Sequence, residues 1–149
     1  MDATIRQINR RLHEEHVAAI ALCERLERSL AARKIEPALL REAAAAFEGE
    51  VERHFSFEDD ELFPRLAAGG YADLVDMLAE EHVAIRAAAR RFIELVKQQS
   101  FDKETQVLAL EVAERLASHA QKEELSMLPA LEEVLDEKTD DELTLMYAS

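Results

Sequence analysis

Apolar residues recur at helical spacing through most of the chain. Ile5, Ile8, Leu12, Ile20, Leu22, Leu26 and Leu30 mark a first helix, and after a short break Pro37 fits the first turn of a second. The second carries Leu40, Ala44, Phe47 and Val51 to the region of Phe63 and Pro64, where "AAGG" follows, with Gly69 and Gly70 supplying the left-handed conformations of a helix end. Leu74, Val75, Leu78, Ile85, Ala89, Phe92 and Val96 define a third helix. "QQSFD" interrupts it, with Ser100 and Asp102 as candidate caps, and a fourth helix carries Val107, Leu110, Leu116 and Met127 toward Leu135. Helices of roughly 25 to 30 residues with short connections predict an all-α fold, an up-down-up-down antiparallel four-helix bundle over about residues 3–135. The acidic segment that follows, "DEKTDDELTLMYAS" at about 136–149, either adds a short C-terminal helix capped by Thr139 or stays partly disordered.

The apolar faces are broken at regular places by polar residues. "HFSFEDDELFP" at 54–64 and "HAQKEELSMLP" at 119–129 share a skeleton of His, Glu at +4 and Pro at +10. Residues four apart on a helix differ by about 40° in direction and roughly 6 Å in height, so His54 projects with Glu58, and His119 with Glu123. Phe47 and Val51 precede His54 on its face, and Val112 and Leu116 precede His119, so both pairs are expected to point into the bundle. His16 lies likewise among Leu12 and Ile20, and His82 among Leu78 and Ile85. Each helix thus brings one histidine inward. The two halves also resemble each other: "EEHVAAI" at 14–20 matches "EEHVAIR" at 80–86, which suggests a duplicated helix pair.

Two facing buried carboxylates repel each other and are costly unless a cation binds them. A metal pair resolves this, because imidazole suits first-row transition metals and glutamates can bridge two ions across a bundle axis. Two spacings count against the zinc-protease and ferritin-type readings. "HEEH" at 13–16 lacks the +4 histidine of zinc proteases, leaving His13 as a solvated or supporting residue, and no histidine follows a glutamate at +3 as in ferritin-like carboxylate sites.

In combination these motifs resemble the hemerythrin-like (HHE cation-binding) family, over nearly all of the chain. The resemblance implies a bundle holding two iron ions, bridged by an oxide or hydroxide, with His16, His54, Glu58, His82, His119 and Glu123 as ligands. It implies binding or sensing of dioxygen or a related small molecule such as nitric oxide or peroxide. An enzyme acting on peroxide, oxygen or nitric oxide, or an iron-donating or repair protein, is the alternative, so turnover stays open. Oxygen carriers of the family have a further histidine one turn after the third-helix histidine; here that position is Arg86. Glu61, at +7 from His54, is a candidate additional oxygen ligand, and Phe55, Phe57 and Phe63 flank the first pair.

Composition narrows the partners. Over 149 residues the formal charge is −14, which argues against nucleic acid and anionic membrane surfaces as partners. Three glycines and a single cysteine, Cys23, suit one domain over 1–149 without disulfides, and no apolar run approaches the ~20 residues that span a bilayer. A cytoplasmic location is expected, with a separate protein partner if the chain is a sensor, because it carries no dedicated output domain.

Overall fold

Helix α1 spans Gln7–Ala31 and buries one stripe, with Ile8, Leu12, His16, Cys23 and Leu26 on the inward side. Residues 5–148 are described in this computed structural model, and among them every regular element is helical. The expected start of the bundle at residue 3, and the two ends of the chain, lie outside the described residues. The second rod is assembled from α2 (Pro37–Ala46), α3 (Glu52–Phe57) and α4 (Phe63–Leu66), separated by widened π turns at Phe47–Val51 and Glu58–Leu62. The third rod is α5 (Ala72–Lys97). The fourth joins α6 (Lys103–Lys122) to α7 (Leu128–Val134) through a π turn at Glu123–Met127, and α8 (Glu137–Ala148) closes the chain.

Two of the widened turns, at Glu58–Leu62 and Glu123–Met127, follow from prolines. Pro64 and Pro129 lie inside their rods, where a proline has no N–H to donate and its ring crowds the carbonyl four residues back. Those carbonyls belong to Asp60 and Leu125, within the turns that widen, so each helix bends around its proline and continues. Both of these turns begin at the glutamate of a His-Glu pair, whereas the turn at Phe47–Val51 precedes His54 and has no proline behind it. Between α4 and α5 the chain makes a kink. Gly70 alone takes the left-handed conformation expected of the glycine pair, at φ 102°, while Gly69 is needed for a different reason. A Cβ on Gly69 would sit 2.7 Å from the Val134 side chain, so glycine there permits close approach of the fourth rod.

α1 packs along α6, α6 along α5, α5 along α2, and α2 against α1. The apolar core inside this ring is in two parts. One contains Leu26, Leu40, Phe47, Phe92 and Leu116; the other contains Leu12, Leu62, Leu66, Leu78, Met127 and Leu131. Between them lies a layer of buried His16, His54, Glu58, His82, His119 and Glu123. Cys23 fills space in the first part, and burial pushes its thiol up to about 12, so it has no thiolate reactivity near neutrality. Ile5 and Val107 carry the helical rhythm yet are exposed.

α8 is ordered, and its first turn is capped by Asp136, whose Oδ1 accepts from Thr139 N at 2.7 Å. The cap is thus Asp136 rather than Thr139, because the helix starts one turn earlier than that hydroxyl could serve. α8 is fastened to α1 from the other side: buried Asp140 accepts from Gln7 N (2.8 Å) and Ile8 N (3.0 Å), satisfying donors that the first turn of α1 leaves free. Asp102 caps α6 as expected, accepting from Thr105 N. No helix is long and apolar enough to cross a membrane, among the described residues.

Candidate metal centre

The four histidines and two glutamates expected at the centre converge in the polar layer. His54 Nε2 lies 2.9 Å from Glu58 Oε2, and His82 Nε2 lies 3.0 Å from Glu58 Oε1. On the other side His16 Nε2 is 2.8 Å from Glu123 Oε1, and His119 Nε2 is 3.0 Å from Glu123 Oε2. Two groups result: His16, His54, Glu58 and Glu123, and Glu58, His82, His119 and Glu123, each with its donor atoms within 4.8 Å of one another. Both glutamates belong to both groups. Each donor set is therefore two imidazoles and two shared carboxylates.

The other ring nitrogen of every histidine is held by a carboxylate that the sequence did not single out. His16 Nδ1 donates to Glu124 (2.6 Å), His54 Nδ1 to Glu15 (2.7 Å), His82 Nδ1 to Asp59 (2.8 Å) and His119 Nδ1 to Glu81 (2.7 Å). A proton held on Nδ1 leaves the Nε2 lone pair free and aimed inward, the arrangement in which a carboxylate orients a metal-binding imidazole. Each of these carboxylates has an outer partner in turn. Tyr147 donates to Glu15, Arg86 to Asp59, Lys122 to Glu81, and the exposed His13 bonds to Glu124. Glu15 and Glu81 directly precede His16 and His82, whereas Asp59 and Glu124 directly follow Glu58 and Glu123. The duplication therefore extends to the supports.

The electrostatics call for positive charge at the centre. Burial opposes a charged imidazole, yet the facing carboxylates outweigh it and hold all four histidines above their ordinary range, His82 up to about 9. Glu123 is driven upward by complete burial, but the surrounding imidazoles hold it well below the usual carboxylate range. The hydrogen bonding is also incomplete. Both oxygens of Glu58 and Oε2 of Glu123 accept no well-formed hydrogen bond, although imidazole nitrogens lie close by. His82 Nε2 and His119 Nε2 stand 3.1 Å apart, so the two facing nitrogens have room for one proton between them. Imidazole nitrogens and carboxylate oxygens converging in this buried space suit a cation, protons in the metal-free chain or metal in their place, and leaving a buried carboxylate uncompensated costs several kcal/mol in round terms, about as much as a lost buried ion pair.

Glu61 belongs to neither group; its carboxylate lies 3.2 Å from Arg65 Nη1. Arg86, one turn after His82, forks onto Glu52 through Nε (2.9 Å) and Nη2 (2.8 Å) and onto Asp59 through Nη1 (2.7 Å). It thus braces the support of His82. The phenylalanines divide. Phe55 stacks on His82 at 3.9 Å between centroids and Phe63 approaches the same ring at 5.2 Å, while Phe57 packs on Tyr147 at 4.4 Å. Of the residues that sequence reasoning passed over, Glu15 and Glu81 carried a signal in the repeated "EEH", and Asp59 and Glu124 in the acid that follows each paired glutamate.

No curated protein and no solved structure matches this chain. Residues 7–131 match the family described as the Hemerythrin HHE cation binding domain, a span that takes in both metal-ligand groups and all four supporting carboxylates, and the chain belongs to that family.

Proposed function

We propose that the chain is a non-haem di-iron protein that binds or senses dioxygen or a related small molecule, nitric oxide or peroxide, in the layer between its two cores. One observation carries the reading: two buried donor groups share both Glu58 and Glu123, the pattern of a dinuclear rather than a mononuclear centre. His16 and His54 would hold one ion, His82 and His119 the other, with the two glutamates common to both. Imidazole and carboxylate donors without thiolate suit iron among the first-row metals. When bound there, the iron pair supplies redox chemistry and a Lewis-acidic position open to an exogenous ligand.

The protein's own part is to orient and exclude. The four outer carboxylates keep protons on Nδ1, and the apolar cores cover the layer above and below. Arg86 occupies the place of the extra histidine in oxygen carriers and is committed to Asp59 and Glu52, so each half offers two imidazoles. That equality favours ligand capture or sensing over long-lived carriage. The short connections between α1 and α2, and between α5 and α6, support the up-down-up-down order that we propose for the rods. The acidic surface supports a role without nucleic acid or membrane, with a protein partner if the output is a signal, and the single buried Cys23 is compatible with a reducing cytoplasm.

Iron content and the ultraviolet-visible spectrum of protein purified without added metal test the reading. About two irons per chain and a spectrum that changes on reduction and exposure to oxygen are expected. A chain that stays colourless and takes up no ferrous iron would overturn it.

A further inference from the structure

The duplicated halves are not filled alike. In the second half His82 lies between two phenyl rings, Phe55 and Phe63. Sixty-five residues on, at the positions related to these by the internal repeat, stand Ala120 and Leu128. The histidine pairs themselves repeat closely: His16 and His54 rings are 5.0 Å apart at 52°, His82 and His119 4.8 Å apart at 59°. What differs is the packing around them. A cavity of about 190 Å³ lies beside His16 and His54, between α1, the second rod and α6, with Ala120 in its wall.

Ala19, Leu22, Val51, Phe55 and Leu116 complete an apolar wall, and His16, His54, His119 and Glu123 form its floor. Glu14, Ala18 and Glu50 are the exposed residues of its rim. A diatomic molecule needs no more room than a water, whose share of liquid volume is about 30 Å³, whereas an apolar cavity of about 150 Å³ is enough to take up benzene. Four carboxylates line the cavity, Glu14 and Glu50 at the rim with Glu15 and Glu123 deeper in, against three imidazoles, and they disfavour anions. From the replacement of a phenyl by Ala120 beside His16, we infer that this cavity binds a neutral, apolar organic molecule about the size of one six-membered ring. Such a molecule would lie against the His16 half of the centre. The inference rests on the di-iron reading for what happens to the ligand, but not for its binding, because the cavity is built by side chains alone.

Toluene, with benzoate as an anion of similar size, serves as the probe on the full chain, metal-free and iron-loaded, by ligand-observed NMR and calorimetry. Toluene is expected to bind the metal-free chain with a Kd on the order of 1 mM or tighter, and benzoate at least tenfold more weakly. Ala120→Phe restores the missing ring and should weaken toluene binding at least tenfold; Ala19→Leu narrows the same wall and stands in if the first variant does not fold. No toluene binding by the wild-type chain, or equal binding by a folded variant, would overturn the proposal, and benzoate binding as well as toluene would overturn its preference for neutral ligands. Iron content, measured on the same preparations, separates the two readings. Toluene bound to a chain that takes no iron supports the cavity while refuting the metal centre, and an iron-loaded chain that ignores toluene does the reverse.

Discussion

Tyr147→Phe removes one oxygen atom from a residue outside the matched family span, yet it should be felt at the metal. The hydroxyl donates to Glu15 Oε1 at 2.5 Å, and the same oxygen accepts from His54 Nδ1 at 2.7 Å. The ring would keep its place, since it packs on Phe57 at 4.4 Å and lies under Arg53 and Arg11 at 4.5 and 5.1 Å. Hydrogen bonds to charged acceptors contribute about 1.5–3 kcal/mol, and because Glu15 keeps some contact with solvent the lower end applies, about 1.5 kcal/mol. In the metal-free chain that is a fall in Tm of roughly 3–6 °C. In the loaded chain, loss of an outer support weakens metal binding about 10–100-fold; with two bonds between Tyr147 and the donor atom, about tenfold is expected. The weakening should fall on one ion of two, because His82 and His119 are held through Asp59 and Glu81, braced by Arg86 and Lys122. Competition with a chelator measures the two affinities, and urea unfolding of the metal-free protein measures the structural part. Stability lowered as stated, with both metal affinities within twofold of wild type, would show that Tyr147 only packs and would refute the chain from α8 to His54.

Three further outcomes are expected. His54→Ala and Glu58→Ala should each remove most bound iron by elemental analysis, whereas Glu61→Ala should retain it because Glu61 is engaged with Arg65; the reverse pattern would refute the assignment of donors. The metal-free chain should lose stability in alkali. His82 is raised to about 9 in the fold, so its contribution is fully present below about pH 6.5, the unfolded value, and is lost as pH rises through about 9; a thermal-unfolding midpoint that is flat over that interval contradicts it. Metal and protons compete for the same nitrogens, so metal affinity should rise with pH across the same window, and competition titrations at several pH values would reveal a wrong sign.

The convergence of the candidate donors was legible because a helix makes its faces explicit. His54 with Glu58, and His119 with Glu123, share a face at a spacing of four, and their apolar predecessors Val51 and Leu116 show that the face is inward. The supports were marked by the repeat but their roles were not legible, because each acts across the bundle. Glu15 holds His54 from 39 residues away, and Glu81 holds His119 from 38, so no local period links them. Among 32 acidic residues, four that turn inward look like surface charge until the rods are packed. The place of α8 was similarly hidden: Asp140 and Tyr147 read as part of an acidic tail, and only the register of α8 on α1 brings one to the start of that helix and the other to Glu15.

The two prolines show how a sequence feature can be visible while its use is not. Pro stands at +10 in both His-Glu stretches, and a proline usually ends or kinks a helix. Here each helix continues through a widened turn that starts at the glutamate itself, Glu58 or Glu123. The pairing of His and Glu on a straight helix is preserved in the turn before, while the residue after each glutamate, Asp59 or Glu124, reaches the histidine of a neighbouring rod. Duplication supplies two such assemblies, so the centre is close to symmetric in its donors and in its supports. The packing around it departs from that symmetry, with Phe55 and Phe63 on one side and Ala120 and Leu128 on the other. The donors and supports are alike in the two halves, so any functional difference between the two donor groups would have to come from the apolar residues in which the halves differ.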